Sequence, residues 1–435
     1  MGYKPYPEYK NSQVDWVGAI PKHWITVPFF MHAKEKKVPN KGMIEDNLLS
    51  LSYGNIIRKN ITTSEGLLPE SYETYQVVKY GDIVFRFTDL QNDKRSLRSG
   101  LVRERGIITS AYLAVKATNM NSEFLAHLMR AYDVIKVFYG LGGGLRQALR
   151  FDGIKRMPIL VPPINEQLAI VDYINHETAQ IDQLIEKKTR FIELLKEKRA
   201  ALITEAVTGK FDVRTSKPYP EYKNSQVDWV GAIPKHWITV PFFMHAKEKK
   251  VPNKGMIEDN LLSLSYGNII RKNITTSEGL LPESYETYQV VKYGDIVFRF
   301  TDLQNDKRSL RSGLVRERGI ITSAYLAVKA TNMNSEFLAH LMRAYDVIKV
   351  FYGLGGGLRQ ALRFDGIKRM PILVPPINEQ LAIVDYINHE TAQMDKLTEE
   401  TQRSIDLLKE KRTALITAAV TGKIDVRDYN ERNTA

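Results

Sequence analysis

Cysteine is missing from all 435 residues. That absence excludes disulfides, thiolate zinc sites and a cysteine nucleophile. Long apolar runs are also lacking. Met1-Gly2-Tyr3-Lys4 opens onto a polar, Pro/Tyr-rich stretch, so neither a membrane span nor a signal peptide is expected. Histidine is sparse, and His23, His32, His127 and His176 show no HxH or HxxxH spacing, so no metal site is expected. Neither a Walker loop nor a G-x-S-x-G elbow occurs, and no nuclease-like E-x-K follows a strand-like run.

What is present is an ordinary globular composition, 43% hydrophobic and 26% charged, with an excess of base. The formal net charge of +12 favours a polyanionic partner. A membrane surface fits poorly, because no stretch joins a basic face to a strongly apolar one. The dominant feature is a repeat. Residues 4–180 recur without a gap at 217–393, 177 identities at an offset of 213. The period is domain-sized, far longer than that of a solenoid or propeller. Two identical domains suit a partner with its own twofold character, such as duplex DNA.

Within one copy the pattern changes at Pro162-Pro163. Before it, Leu48–Tyr53, Asp82–Thr88 and Ile107–Val115 read as strands bounded by turn residues. A helix is expected from Asn121-Ser122, with Phe124, Leu125, Leu128, Tyr132 and Ile135 on one face and Gly140 as its stop. The period then becomes about 3.5. Ile174, Ile181, Leu184, Ile185, Phe191, Ile192, Leu195, Leu202 and Ala206 form a stripe that ends at Gly209. As one helix, 164–209 would reach roughly 70 Å. Its stripe needs a cover, and 377–422 supplies an equivalent helix. The expected pairing residues are Ile181, Leu184, Ile185, Ile192 and Leu195 on the first helix, with Met394, Leu397, Ile405 and Leu408 on the second.

The fold class expected is α+β: two mixed α/β domains and two long helices. The segments are 1–163, 164–210 (helix), 211–376 (linker and second domain), 377–423 (helix) and 424–435 (tail). The copies diverge appreciably only after Gln180 and Gln393. There Lys187-Lys188 replaces Glu400-Thr401. If the midpoints of an antiparallel pair meet near 186–187 and 399–400, these lysines would face Glu399 and Glu400 and favour pairing within the chain.

A methyltransferase reading fails on context. Phe138-Tyr139-Gly140-Leu141-Gly142 has the F-x-G-x-G shape of a loop for S-adenosylmethionine, but it follows a helix where a strand is required. Val161-Pro162-Pro163-Ile164 lacks both the amide or carboxylate and the aromatic ring of the companion motif. Nucleic-acid contacts are better supported. Arg86, Thr88, Gln91, Asn92, Lys94, Arg95 and Arg98 crowd one segment, and Arg299, Thr301, Gln304, Asn305, Lys307, Arg308 and Arg311 repeat it. Arg matches guanine bidentately, and Asn or Gln matches adenine. Gly140–Gly144 leads to Arg146, Gln147 and Arg150, repeated as Arg359, Gln360 and Arg363, where glycines would let backbone approach a phosphate.

These residues carry a resemblance. Tyr6-Pro-Glu-Tyr-Lys10, Val14 through His23-Trp24, Gly81-Asp-Ile-Val, Met157 through Pro162-Pro163-Ile-Asn-Glu166-Gln167, Leu195 through Arg199, Leu202-Ile-Thr204 and Ala206-Val-Thr-Gly-Lys210 occur together, twice. The chain resembles the specificity (S) subunit of type I restriction–modification systems over essentially its whole length. The resemblance implies two target recognition domains separated by an antiparallel coiled coil, with pseudo-twofold symmetry, in a cytoplasmic bacterial or archaeal protein. It implies a subunit that does no chemistry. Its partners would be double-stranded DNA, two methyltransferase (M) subunits that hold S-adenosylmethionine, and motor–nuclease (R) subunits. No cofactor is expected on this chain. Family members usually carry unlike domains and read an asymmetric site. Identical domains here predict an interrupted palindrome. A free-standing DNA-binding regulator without methyltransferase partners is the alternative.

Overall fold

The computed structural model describes residues 4–59, 71–88, 90, 93, 96–141, 149–272, 284–301, 303, 309–354 and 362–429. The first copy supplies strands β1 (Tyr9–Asn11), β2 (Ala19–Pro21), β3 (Ile25–Pro28), β4 (Ala33–Lys36), β5 (Leu49–Ser52), β6 (Asn55–Arg58), β7 (Gln76–Val78), β8 (Asp82–Phe85), β9 (Ser99–Leu101), β10 (Gly106–Ile108), β11 (Leu113–Ala117) and β12 (Pro158–Val161). Its helices are α1 (Ser122–Val134), α2 (Val137–Gly140), α3 (Phe151–Ile154) and the long α4 (Ile164–Val207). The second copy repeats the order and ends in a second 44-residue helix, Ile377–Val420, called here the second long helix.

The centre of the domain is an antiparallel sheet in the order β4-β11-β8-β9. Strand side chains alternate between faces, and in β8 both faces are buried. Ile83 and Phe85 join α1 residues Phe124, Leu125 and Leu128 in the main core. Val84 points the other way, into a smaller core with Leu49, Val78 and Ile108. The β5–β6 hairpin and the antiparallel pair β7–β10, whose strands are separated in sequence by β8 and β9, cover that second face.

Asn121 caps α1, its side chain accepting the Phe124 N–H at 2.9 Å. The helix stops earlier than the sequence suggested. Lys136 takes a left-handed conformation (φ 62°), and Val137–Gly140 forms a separate turn. The glycine of the methyltransferase-like motif therefore follows helix. The run read as Ile107–Val115 is two strands joined by a turn, β10 and β11.

The chain divides into two compact units that cut across the repeat. One comprises 1–188 and 403–435, the other 189–402. Each holds one domain, the N-terminal half of one long helix and the C-terminal half of the other. Within the first unit the halves run antiparallel. Arg412 bonds Asp182 at 3.0 Å, and Tyr429 lies edge-on to Tyr173 with ring centres 4.8 Å apart. Within the second, Arg199 pairs with Asp395, which is the same ion pair displaced by the repeat.

These pairs set the register. Counting antiparallel from Asp182–Arg412 brings Lys187 level with Leu407, and counting from Arg199–Asp395 brings Glu399 level with Leu195. The midpoint register that would place Lys187 and Lys188 against Glu399 and Glu400 is therefore corrected by eight residues, about two turns. The helix ends explain the shift, because the register is anchored where each C-terminus docks on a domain.

Burial corrects two pairing residues as well. Ile181, Ile192, Leu195, Met394 and Ile405 are buried, and Ile185 and Leu408 are half-buried. Leu184 and Leu397 are instead 46% and 44% exposed. The seam steps through Ile174, Thr178, Ile181, Ile185, Lys188, Ile192 and Leu195, alternating four and three residues, all buried but the half-buried Ile185 and Lys188. Leu184 stands one residue off it, about 100° around the helix.

Candidate nucleic-acid interface

The segment after β8 is the first candidate surface. The Arg86 N–H donates to the Arg98 carbonyl at 2.9 Å, so the 86–98 loop is closed at its neck. Arg86 and Thr88 are half-buried there. Arg98 was expected to read bases, and the structure corrects this: its side chain is fully buried. Its guanidinium donates to the Thr88 carbonyl at 2.9 Å and to the Asp93 carbonyl, and lies 5.9 Å from the Tyr139 ring centre. Its N–H donates to the buried carboxylate of Asp133. A buried guanidinium persists only when its donors are satisfied; Arg98 ties the two ends of the loop together. Arg311 is corrected likewise, buried and bonded to the Thr301 carbonyl at 3.0 Å. Burial pushes the Asp133 carboxyl above its usual range, opposed by the Arg98 N–H and by Arg130.

Gln91, Asn92, Lys94 and Arg95, with Gln304, Asn305, Lys307 and Arg308, lie outside the described residues, as do Arg146, Gln147, Arg359 and Gln360. Arg150 is exposed just before α3, and Arg363 matches it. Arg299 is half-buried, as Arg86 is. Among the described residues no group of His, Cys, Asp or Glu could hold a metal ion, and no helix is long and apolar enough to cross a membrane.

Sequence reasoning used one group of residues as a fingerprint without seeing what they do. Glu166, in the first turn of α4, accepts from the Tyr6 hydroxyl at 2.5 Å, Trp24 Nε1 at 2.8 Å and His23 Nε2 at 2.7 Å. Burial, then the bond to Glu166, raises the Tyr6 hydroxyl far above its ordinary range. Gln167 accepts the Asn121 N–H at 2.8 Å and donates to the Pro162 carbonyl at 2.8 Å, joining α4 to the cap of α1. The other motif meets the same place. Gly422, just past the second long helix, has φ +72°, and a Cβ there would collide with the Pro21 ring. Only glycine fits both demands. Lys423 then donates to the Ala19 carbonyl at 2.5 Å, and the Asp425 N–H to the Lys4 carbonyl at 2.8 Å. The second unit repeats this joint with Glu379, Tyr219, His236 and Trp237, closed by Gly209 and Lys210. Motifs far apart in sequence thus form one helix-to-domain joint.

No protein-family model and no curated protein sequence matches the chain. Solved structures do. A chain from a structure described as the basis of complex assembly and conformational transition of the type I R-M system is 15% identical, with a TM-score of 0.59 over 93% of this chain and 99% of that one. The two share a fold. The HsdS subunit from Thermoanaerobacter tengcongensis is 14% identical over 93% of this chain and 98% of its own, with a TM-score of 0.48. The type I restriction-modification S subunit from M. genitalium is 11% identical over 92% and 96%, with a TM-score of 0.36. That shared fold holds two strand-rich domains and two long helices.

Proposed function

We propose that this chain is the specificity subunit of a type I restriction–modification enzyme. It is a non-catalytic, cytoplasmic DNA-binding protein that reads a bipartite site and scaffolds two adenine-methyltransferase subunits, with motor–nuclease subunits completing the complex. S-adenosylmethionine belongs to the methyltransferase partners. The observation that carries this reading is the match, across nearly the full length of both chains, to a chain of the type I R-M system. The net charge of +12 supports a DNA partner. Because the two domains are identical from 4–180 to 217–393, the half-sites are identical and inverted.

Cells expressing the chain with its methyltransferase partner should show adenine methylation at a single interrupted palindrome. Two different half-sites in that methylome would overturn the palindrome, and no new methylation together with no capture of a methyltransferase subunit would overturn the assignment.

A further inference from the structure

The β5–β6 hairpin is built as a two-stranded ribbon with one face held and one presented. On the held face, Leu49 and Leu51 are buried and Ile56 is half-buried. A Cβ at Gly100 would come within 2.6 Å of Leu51 Cδ1 and 3.2 Å of Ile56 Cδ1, so β9 passes directly beneath the ribbon. The Arg130 guanidinium donates to the carbonyl of Gly54 at the ribbon tip and, at 2.6 Å, to that of Ser99 in β9. One half-buried cation therefore fixes the ribbon to the strand that leaves the Arg98-clamped loop.

The other face is open. Register pairs Ser50 with Ile57 and Ser52 with Asn55, so these four share it, with Lys59 continuing the row. Asn55 and Lys59 are exposed, Ile57 is 43% exposed, and Tyr53 at the tip is 71% exposed. Tyr53 and Gly54 both take positive φ, 44° and 80°. That is the two-residue turn that matches ribbon twist, but it is a costly conformation for tyrosine. From Ser50 to Ile57 there is no carboxylate. At the ribbon's base, Glu104 is engaged by Arg58 and Glu45 by Arg105, at 2.8 Å each.

We propose that this ribbon is a second base-reading element, lying in the DNA major groove with Asn55 and the two serines against base edges and Tyr53 at the tip. The inference rests on the DNA-binding reading above. A four-residue ribbon is about 13 Å long, and the major groove, about 12 Å wide, admits a two-stranded ribbon. Asparagine can pair bidentately with adenine. An acid-free face with an exposed lysine is complementary to phosphate, and Asn268 and Tyr266 present the same ribbon to the other half-site.

The test is selection from a random-sequence duplex library by the full chain in complex with its methyltransferase partner. Wild type should enrich one inverted motif. The variant Asn55→Ala with Asn268→Ala should relax one position in each half-site, on the order of 5- to 150-fold. Tyr53→Asn with Tyr266→Asn removes the ring while leaving a residue that tolerates positive φ. It should melt no lower than wild type and bind the motif at least 5-fold more weakly. If both variants melt normally and enrich the unchanged motif with unchanged affinity, the ribbon proposal is overturned and the DNA reading stands. A wild-type complex that enriches no motif overturns the DNA reading, and this inference with it.

Discussion

Glu166 has three side-chain donors around one buried carboxylate, so its loss strands them all. Glu166→Ala is expected to cost about 2–4 kcal/mol, read as a lower urea midpoint. Arg98→Ala should likewise destabilise, because Arg98 holds a loop rather than a base. Arg150→Ala with Arg363→Ala should leave stability unchanged and lower the salt slope of DNA binding by about 0.9 for each phosphate that is no longer neutralised. His127 and His340 carry a pH signature. Burial first, then neighbouring arginines, lowers both to about 4, with Glu123 and Glu336 opposing. Between pH 6.5 and 4 the unfolded chain binds more protons, so stability falls as pH drops through that window, by at most about 1.4 kcal/mol per unit per histidine. Thermal melts at pH 7, 5.5 and 4.5 should show the fall, and His127→Gln with His340→Gln should flatten it.

At the scale of elements, the seam of the long helices separates two apolar positions, Ile181 and Leu184, that look alike in sequence. Ile181→Ala, in the seam, should cost about 2–5 kcal/mol. Leu184→Gln, outside it, should stay within about 0.5 kcal/mol. Gly422→Ala forces a Cβ against Pro21 and should cost about 1–3 kcal/mol, measured by calorimetry. The sequence made the helices legible because a 3.5-residue period over 44 residues has few other readings. Register was not legible, since it is set by Gly422 and Lys423 meeting Pro21 and Ala19, some 400 residues away in sequence. Arg98 was misread for a related reason: an arginine among Asn, Gln and Lys looks like a surface residue until Asp133 and Tyr139, from a later helix and turn, are seen to enclose it.

For the whole molecule, the repeat makes a prediction that no single residue does. On the proposed palindrome, changing a base in the left half-site should weaken binding as much as the mirror change in the right. Unequal losses in a gel-shift series would show that the diverged helices, not the identical domains, contribute to recognition.

The two units also differ in how the ribosome delivers them. Residues 189–402 form one uninterrupted stretch, whereas the other unit needs 1–188 together with 403–435. The second unit can close as soon as it has emerged. The first must wait, its helix half uncovered, until Lys423 and Asp425 arrive to seal against Ala19 and Lys4. At about 5–20 residues per second that delay is roughly 10–50 s. The part of the chain made first is therefore finished last, and a nascent chain stalled between residues 188 and 403 offers an unsealed apolar helix to chaperones and proteases.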